Sequence, residues 1–75
     1  MYECIKENKA IVAAIKYGMA LYGVSPAQMA LAMRENPATY FRRMKHPEDF
    51  TLDELRKVSA KIHIPIEKLV KGEIQ

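Results

Sequence analysis

Ser25-Pro26-Ala27-Gln28-Met29-Ala30-Leu31-Ala32-Met33-Arg34-Glu35-Asn36-Pro37-Ala38-Thr39-Tyr40-Phe41-Arg42-Arg43-Met44-Lys45 holds two helix starts, and their separation decides the fold. Ser25 is an N-cap, Pro26 stands where its missing N–H does no harm, and Gln28 is placed to close a capping box. Asn36-Pro37 repeats the cap-plus-proline device. A residue before proline is biased away from the α region, so one helix must stop near Met33 and the next begin at Pro37. The spacing therefore predicts two short helices, about 25–33 and 37–45, around a turn too tight for a sheet. Helices joined this way cross steeply, and close approach needs a small side chain on the first, which Ala30 supplies.

The rest of the chain extends the same pattern. Ile11, Ile15, Met19 and Tyr22 recur at helical spacing over about 5–22, with Lys6, Lys9 and Lys16 on other faces and Gly23 as a stop. Met29, Ala30 and Met33 share one side of the second helix, which has no charge before Arg34 and reads as heavily packed. In the third, Tyr40 and Met44 face inward and leave Ala38, Arg42 and Lys45 opposite. His46-Pro47 ends it. Thr51-Leu52-Asp53-Glu54 is a second capping box, opening a helix striped by Leu52, Leu55, Val58 and Ile62. Ile64-Pro65 forces a break, and Ile66, Leu69 and Val70 make a last short helix closed by Gly72. No strand, internal repeat or dividing linker is evident, so the expectation is one all-α domain over residues 1–75, a compact cluster of five helices.

Composition narrows the class. At 75 residues the chain has one modest core, and 49% apolar content argues against disorder. Cys4 is alone and cannot form an internal disulfide, and no apolar run suits a signal peptide or membrane span. A reducing, cytoplasmic setting and no membrane association are expected. Net charge is +3, and the same excess falls within residues 34–46, which hold Arg34, Arg42, Arg43 and Lys45 against Glu35 alone. His46 and His63 are too scattered for a metal site, and Glu48-Asp49 and Asp53-Glu54 sit where helix starts favour acids through the dipole. No nucleophile triad or phosphate loop appears, so neither an enzyme nor a cofactor is expected.

These residues resemble the helix-turn-helix family of phage repressor and Cro-like, or Xre-type, regulators over about Lys16 to Leu69. Gly23-Val24-Ser25 matches the family's Gly-Leu-Thr approach to its second helix, Met29-Ala30 its Leu-Ala pair, and Met33 the closing apolar residue. Asn36 to Thr39 falls on the start of the recognition helix. Leu52, Leu55 and Val58 with Ile62-His63-Ile64 fall on the fourth helix and its Leu-Gly-Val ending. Arg34 replaces the usual turn glycine, Glu35 an apolar turn residue, Pro26 a phosphate-contacting glutamine, and Arg43 a frequently apolar position, for which Met44 substitutes. Arg34 must then tolerate or avoid a left-handed conformation, at roughly a 1 kcal/mol penalty.

The resemblance implies a lambda-repressor-like domain that binds double-stranded DNA as a homodimer and regulates transcription, of phage or mobile-element type. Pro37, Ala38 and Arg42 would then meet base edges in the major groove, Arg42 as a bidentate guanine reader. Ser25, Gln28, Asn36, Thr39, Arg43 and Lys45 suit phosphates. The alternative is a protein-interaction module on the same scaffold. Phe41 beside the basic face could stack on a base or pack against the fourth helix or a partner subunit. Ile66, Leu69 and Val70 of the fifth helix are candidates for a dimer surface.

Overall fold

Three of the helices begin on side-chain caps, as the sequence signals. In the computed structural model, which describes the backbone of residues 2–71 and the side chains of residues 8–69, the order is α1 Tyr2–Tyr22, α2 Pro26–Ala32, α3 Pro37–Lys45, a 3-10 turn Pro47–Asp49, α4 Leu52–Ile62 and α5 Ile66–Lys71. Among the described residues there is no strand. Ser25 Oγ accepts from the Gln28 N–H at 3.2 Å while Gln28 Oε1 accepts from the Ser25 N–H at 2.8 Å. Asn36 Oδ1 accepts from the Thr39 N–H at 2.8 Å. Thr51 and Glu54 repeat the reciprocal box at the start of α4. Each cap satisfies N–H groups that a helix start would otherwise leave unpaired.

The helix ends explain how so short a chain turns so often. At the end of α2 the Glu35 N–H bonds the Ala30 carbonyl at 2.9 Å and the Arg34 N–H bonds the Leu31 carbonyl at 3.0 Å. That pair of bonds is a Schellman closure, which needs a left-handed residue at the first position past the cap. Arg34 fills it at φ 60°, Gly23 does the same after α1 at φ 64°, and His63 ends α4 at φ 59°. Only Gly23 adopts this conformation without a Cβ penalty. Replacing Arg34 by glycine should therefore stabilise the fold, by about 0.5 kcal/mol after the added freedom of the unfolded chain is subtracted. A thermal melt checks it: a rise of about 2–4 °C is expected, and an unchanged or lower midpoint would show that the turn carries no strain.

The core is Ala14, Ile15, Met19, Met29, Ala30, Met33, Tyr40, Val58, Ile62, Ile64 and Leu69, with Ile11, Val24, Met44, Phe50 and Leu55 packed around it. α1 lies across α4, α5 and the 3-10 turn, while α2 packs on α3 and α4. The directions of α1 and α2 differ by 107° across Gly23-Val24-Ser25. Ala30 is 1% exposed at the α2 packing surface. Leucine at position 30 should overpack it and cost about 1–3 kcal/mol, read as a lower midpoint in urea. No single helix among the described residues is long and apolar enough to cross a membrane.

Several packing expectations are corrected. Tyr22 and Leu52 are exposed, not parts of buried stripes: Tyr22 is the last residue of α1, past the core and against the His63 ring at 4.7 Å, and Leu52 is the first residue of α4, beyond the reach of the core. The buried arc of α1 runs instead through Ala14, Ile15, Gly18 and Met19. α2 buries only Met29 and Ala30, and Leu31 is 77% exposed, because a seven-residue helix shows one face to its neighbours and the other to solvent. Phe41 is exposed and does not pack on α4. Leu69 is fully buried in the chain's own core, so it offers nothing to a dimer surface. α1 begins at Tyr2, earlier than its apolar spacing suggests. Gly72 and the side chain of Val70 lie outside the described residues.

Candidate nucleic-acid interface

α3 owes its two-sided character to the spacing of nine residues. At about 100° per residue, Thr39, Tyr40, Arg43 and Met44 fall on one side, and Ala38, Phe41, Arg42 and Lys45 fall within a single arc on the other. The first four are buried or half-buried and the second four exposed. The inner side is anchored at two points. The Tyr40 hydroxyl donates to Met19 Sδ of α1 at 3.2 Å, and Arg43 Nε donates to Glu54 Oε1 of α4 at 3.1 Å. Burial raises the Tyr40 hydroxyl above the usual tyrosine range. Burial also acts to raise the Glu54 carboxyl, but the Thr51 N–H and the Arg43 guanidinium together outweigh it and hold that carboxyl below the ordinary range. The bond to Glu54 in turn raises Arg43.

The residues read as DNA contacts divide accordingly. Ser25, Gln28, Asn36, Pro37, Ala38, Arg42 and Lys45 are all exposed. Thr39 is not: it is 6% exposed, and its Oγ1 accepts from Arg42 Nη2 at 3.0 Å. Its part in the site is to draw the Arg42 guanidinium back along α3 toward the helix start, in the direction helical side chains already lean. Four of the five guanidinium N–H donors stay available. Arg43, expected to suit a phosphate, is half-buried and tied to α4, so the outward cations of α3 are Arg42 and Lys45, the two that spacing set opposite Tyr40 and Met44. Helical spacing already sets Arg43 about 100° from Arg42; what it could not show is the partner that holds Arg43, eleven residues on in a different helix.

The caps have a second consequence. Capping uses the side-chain oxygens of Gln28 and Asn36, which leaves the NH2 groups of both amides as donors at the helix starts. Donors at a helix N-terminus, next to the positive end of its dipole, match an acceptor of negative charge. Arg34 adds an exposed cation at the turn between α2 and α3, beside exposed Glu35. Two of the acids that follow α3 have partners of their own. Glu48 accepts from Asn8 Nδ2 at 3.1 Å and faces His46 Nδ1 at 3.4 Å. Asp53 takes Lys57 Nζ at 2.7 Å, and that bond holds its carboxyl below the ordinary range.

A cleft of about 390 Å³ lies between α1 and the end of α3 and adjoins this face at Lys45; it is lined by Asn8, Lys9, Val12, Met44, Lys45, Pro47 and Glu48. It holds no arrangement of nucleophile and base. Among the described residues no three His, Cys, Asp or Glu side chains are grouped to hold a metal ion. No family model matches the chain, and searches of curated proteins and of solved structures give no match either.

Proposed function

We propose that the protein is a sequence-specific DNA-binding regulator of transcription, of the phage repressor and Cro-like kind, which lays α3 in the major groove of duplex DNA. The observation that carries this reading is the outward arc of α3. Ala38, Phe41, Arg42 and Lys45 are uncovered by the rest of the chain, while the opposite side is pinned to α1 and α4. A helix held rigidly from behind, with cations and little else in front, fits a groove lined by phosphates. Arg42, laid toward the helix start by Thr39, is placed to read a guanine edge, a contact worth about 1–3 kcal/mol of discrimination. Gln28, Asn36 and Lys45 take phosphates and set register. Pairing of two copies in the cytoplasm would place two such helices about 34 Å apart along the duplex.

Affinity for a mixed-sequence duplex, followed by fluorescence anisotropy across a salt series, tests the reading. With about four to six phosphate contacts, the logarithm of affinity should fall with the logarithm of salt at a slope of about −4 to −5. Lys45→Ala should weaken binding evenly across sequences and reduce the steepness by about 1, whereas Arg42→Ala should relax selectivity. Leu31 and Phe41, exposed on α2 and α3, favour the rival reading of a surface for a protein partner. No binding to DNA at low salt would support that rival and overturn the proposal.

A further inference from the structure

Phe41 is 57% exposed at one edge of the outward, cationic face of α3, and the packing of the fold does not call for a ring there. The inward anchors of α3 are Tyr40 and Met44. The Phe41 ring stands edge-on to Tyr40, with centroids 5.2 Å apart and planes at 70°, which fixes its direction without covering it. Leaving a phenylalanine in water forgoes the gain of burying it, so the ring is in place for something that arrives from outside. What arrives is constrained by the neighbours. Arg42 follows it around the helix, Lys45 lies one turn further on, and only Ala38 adds apolar surface to the arc. A protein partner of ordinary apolar character would have to bury both cations to reach one ring. A polyanion whose interior edge carries small apolar groups needs no such burial.

Duplex DNA is such a ligand, since thymine alone among the bases places a methyl group in the major groove. Building on the function proposed above, we infer that Phe41 is a specificity-determining residue that packs against thymine 5-methyl groups beside the guanine read by Arg42. Phe41 and Arg42 are consecutive, so they stand at nearly the same height on α3 and about 100° apart around it. They therefore address neighbouring base pairs, the ring by apolar contact and the guanidinium by hydrogen bonds. Ala38, between them on the arc, is small enough to let both approach.

The test begins with sites enriched from a library of random duplexes, followed by replacement of each enriched thymine with uracil, which differs only in lacking the methyl group. For the wild type, uracil at one position per half-site should weaken binding about four-fold, the value of one buried methyl. Phe41→Ala should bind the thymine duplex more weakly and no longer distinguish it from the uracil duplex. An unchanged circular dichroism spectrum and melting midpoint show that the variant is folded, as the exposure of the side chain leads one to expect. Enriched sites without a recurring thymine would overturn the inference, as would a wild type indifferent to uracil or a Phe41→Ala variant that keeps the preference. In each of those cases DNA binding itself stands. Failure to bind any duplex would overturn the inference together with the reading beneath it, and would point to a protein partner at the same ring.

Discussion

Valine at position 18 should remove a large part of the stability of this domain. A Cβ built on Gly18 stands 2.7 Å from Ile62 Cβ and 2.9 Å from Ile62 Cδ1, so α1 and α4 touch there with nothing between them. Ile62 is fully buried, and its Cβ is fixed by the backbone of α4, which leaves no flexible group to move aside. The helices themselves must part. Gly18→Ala gains up to about 1 kcal/mol of helix propensity and loses about 1–3 kcal/mol to overpacking. Gly18→Val adds two more methyl groups at the same crossing and forfeits the propensity gain, for a net cost above about 3 kcal/mol. Against a total of roughly 5–10 kcal/mol for a chain of this size, that is a fall of well over 10 °C in melting midpoint. Ile62→Val in the same protein removes the Cδ1 clash but not the Cβ clash, so it should restore only part of the loss. A Gly18→Val protein that melts like wild type would show that α1 and α4 do not approach this closely.

Why this crossing was invisible in the sequence is instructive beside the turns that were not. Ser25-Pro26, Asn36-Pro37 and Thr51 with Glu54 announce helix starts because a cap is a local arrangement, complete within three residues, and all three occur as read. Arg34 was legible for the same reason: the Schellman closure requires a left-handed residue whatever its side chain, and only motif comparison was needed to see that glycine was missing. Gly18 depends on Ile62, forty-four residues away, and apolar periodicity gives no weight to a residue without a side chain. Tyr22 departs from expectation for another reason: it lies on the buried side of α1 but at its last residue, past the core. A stripe chosen by large apolar residues skips Ala14 and Gly18, where the neighbouring helices come nearest.

The candidate site divides along the same line. That α3 carries its charge outward was readable from Tyr40 and Met44 four residues apart, since a helix that buries one face must expose the other. What holds each arginine in place was not. Arg43 and Arg42 differ by one position; the Glu54 carboxylate of α4 holds the first inward while Thr39 holds the second along the helix. A buried threonine was read as a phosphate donor because threonine at a helix start is usually exposed. Phe41, for which the sequence left base stacking and packing both open, is exposed beside the cations.

Glu54 joins the two halves of that arrangement, and its removal should be felt in both. Its Oε1 accepts from the Thr51 N–H at 3.0 Å and from Arg43 Nε at 3.1 Å, with the side chain almost fully buried. Glu54→Ala breaks the capping box of α4 and releases the tether of α3, for a loss of about 2 kcal/mol in folding stability. Glu54→Gln keeps an oxygen for Thr51 but not the charge for Arg43. Because the folded protein holds this carboxyl below its ordinary range, the charge stabilises the fold fully above the unfolded value of about 4.3. That contribution is lost as pH falls through the depressed folded value. Urea melts of wild type and Glu54→Gln should therefore differ most near neutrality, begin to converge as pH falls below the unfolded value of about 4.3, and meet only below the depressed folded value. A gap between the two proteins that stays constant into strong acid would mean that the ionised pair contributes nothing. If the tether sets the pose of α3 as argued, Glu54→Gln should also weaken DNA binding at neutral pH while leaving the salt slope unchanged, because the phosphate contacts remain and only their alignment is lost.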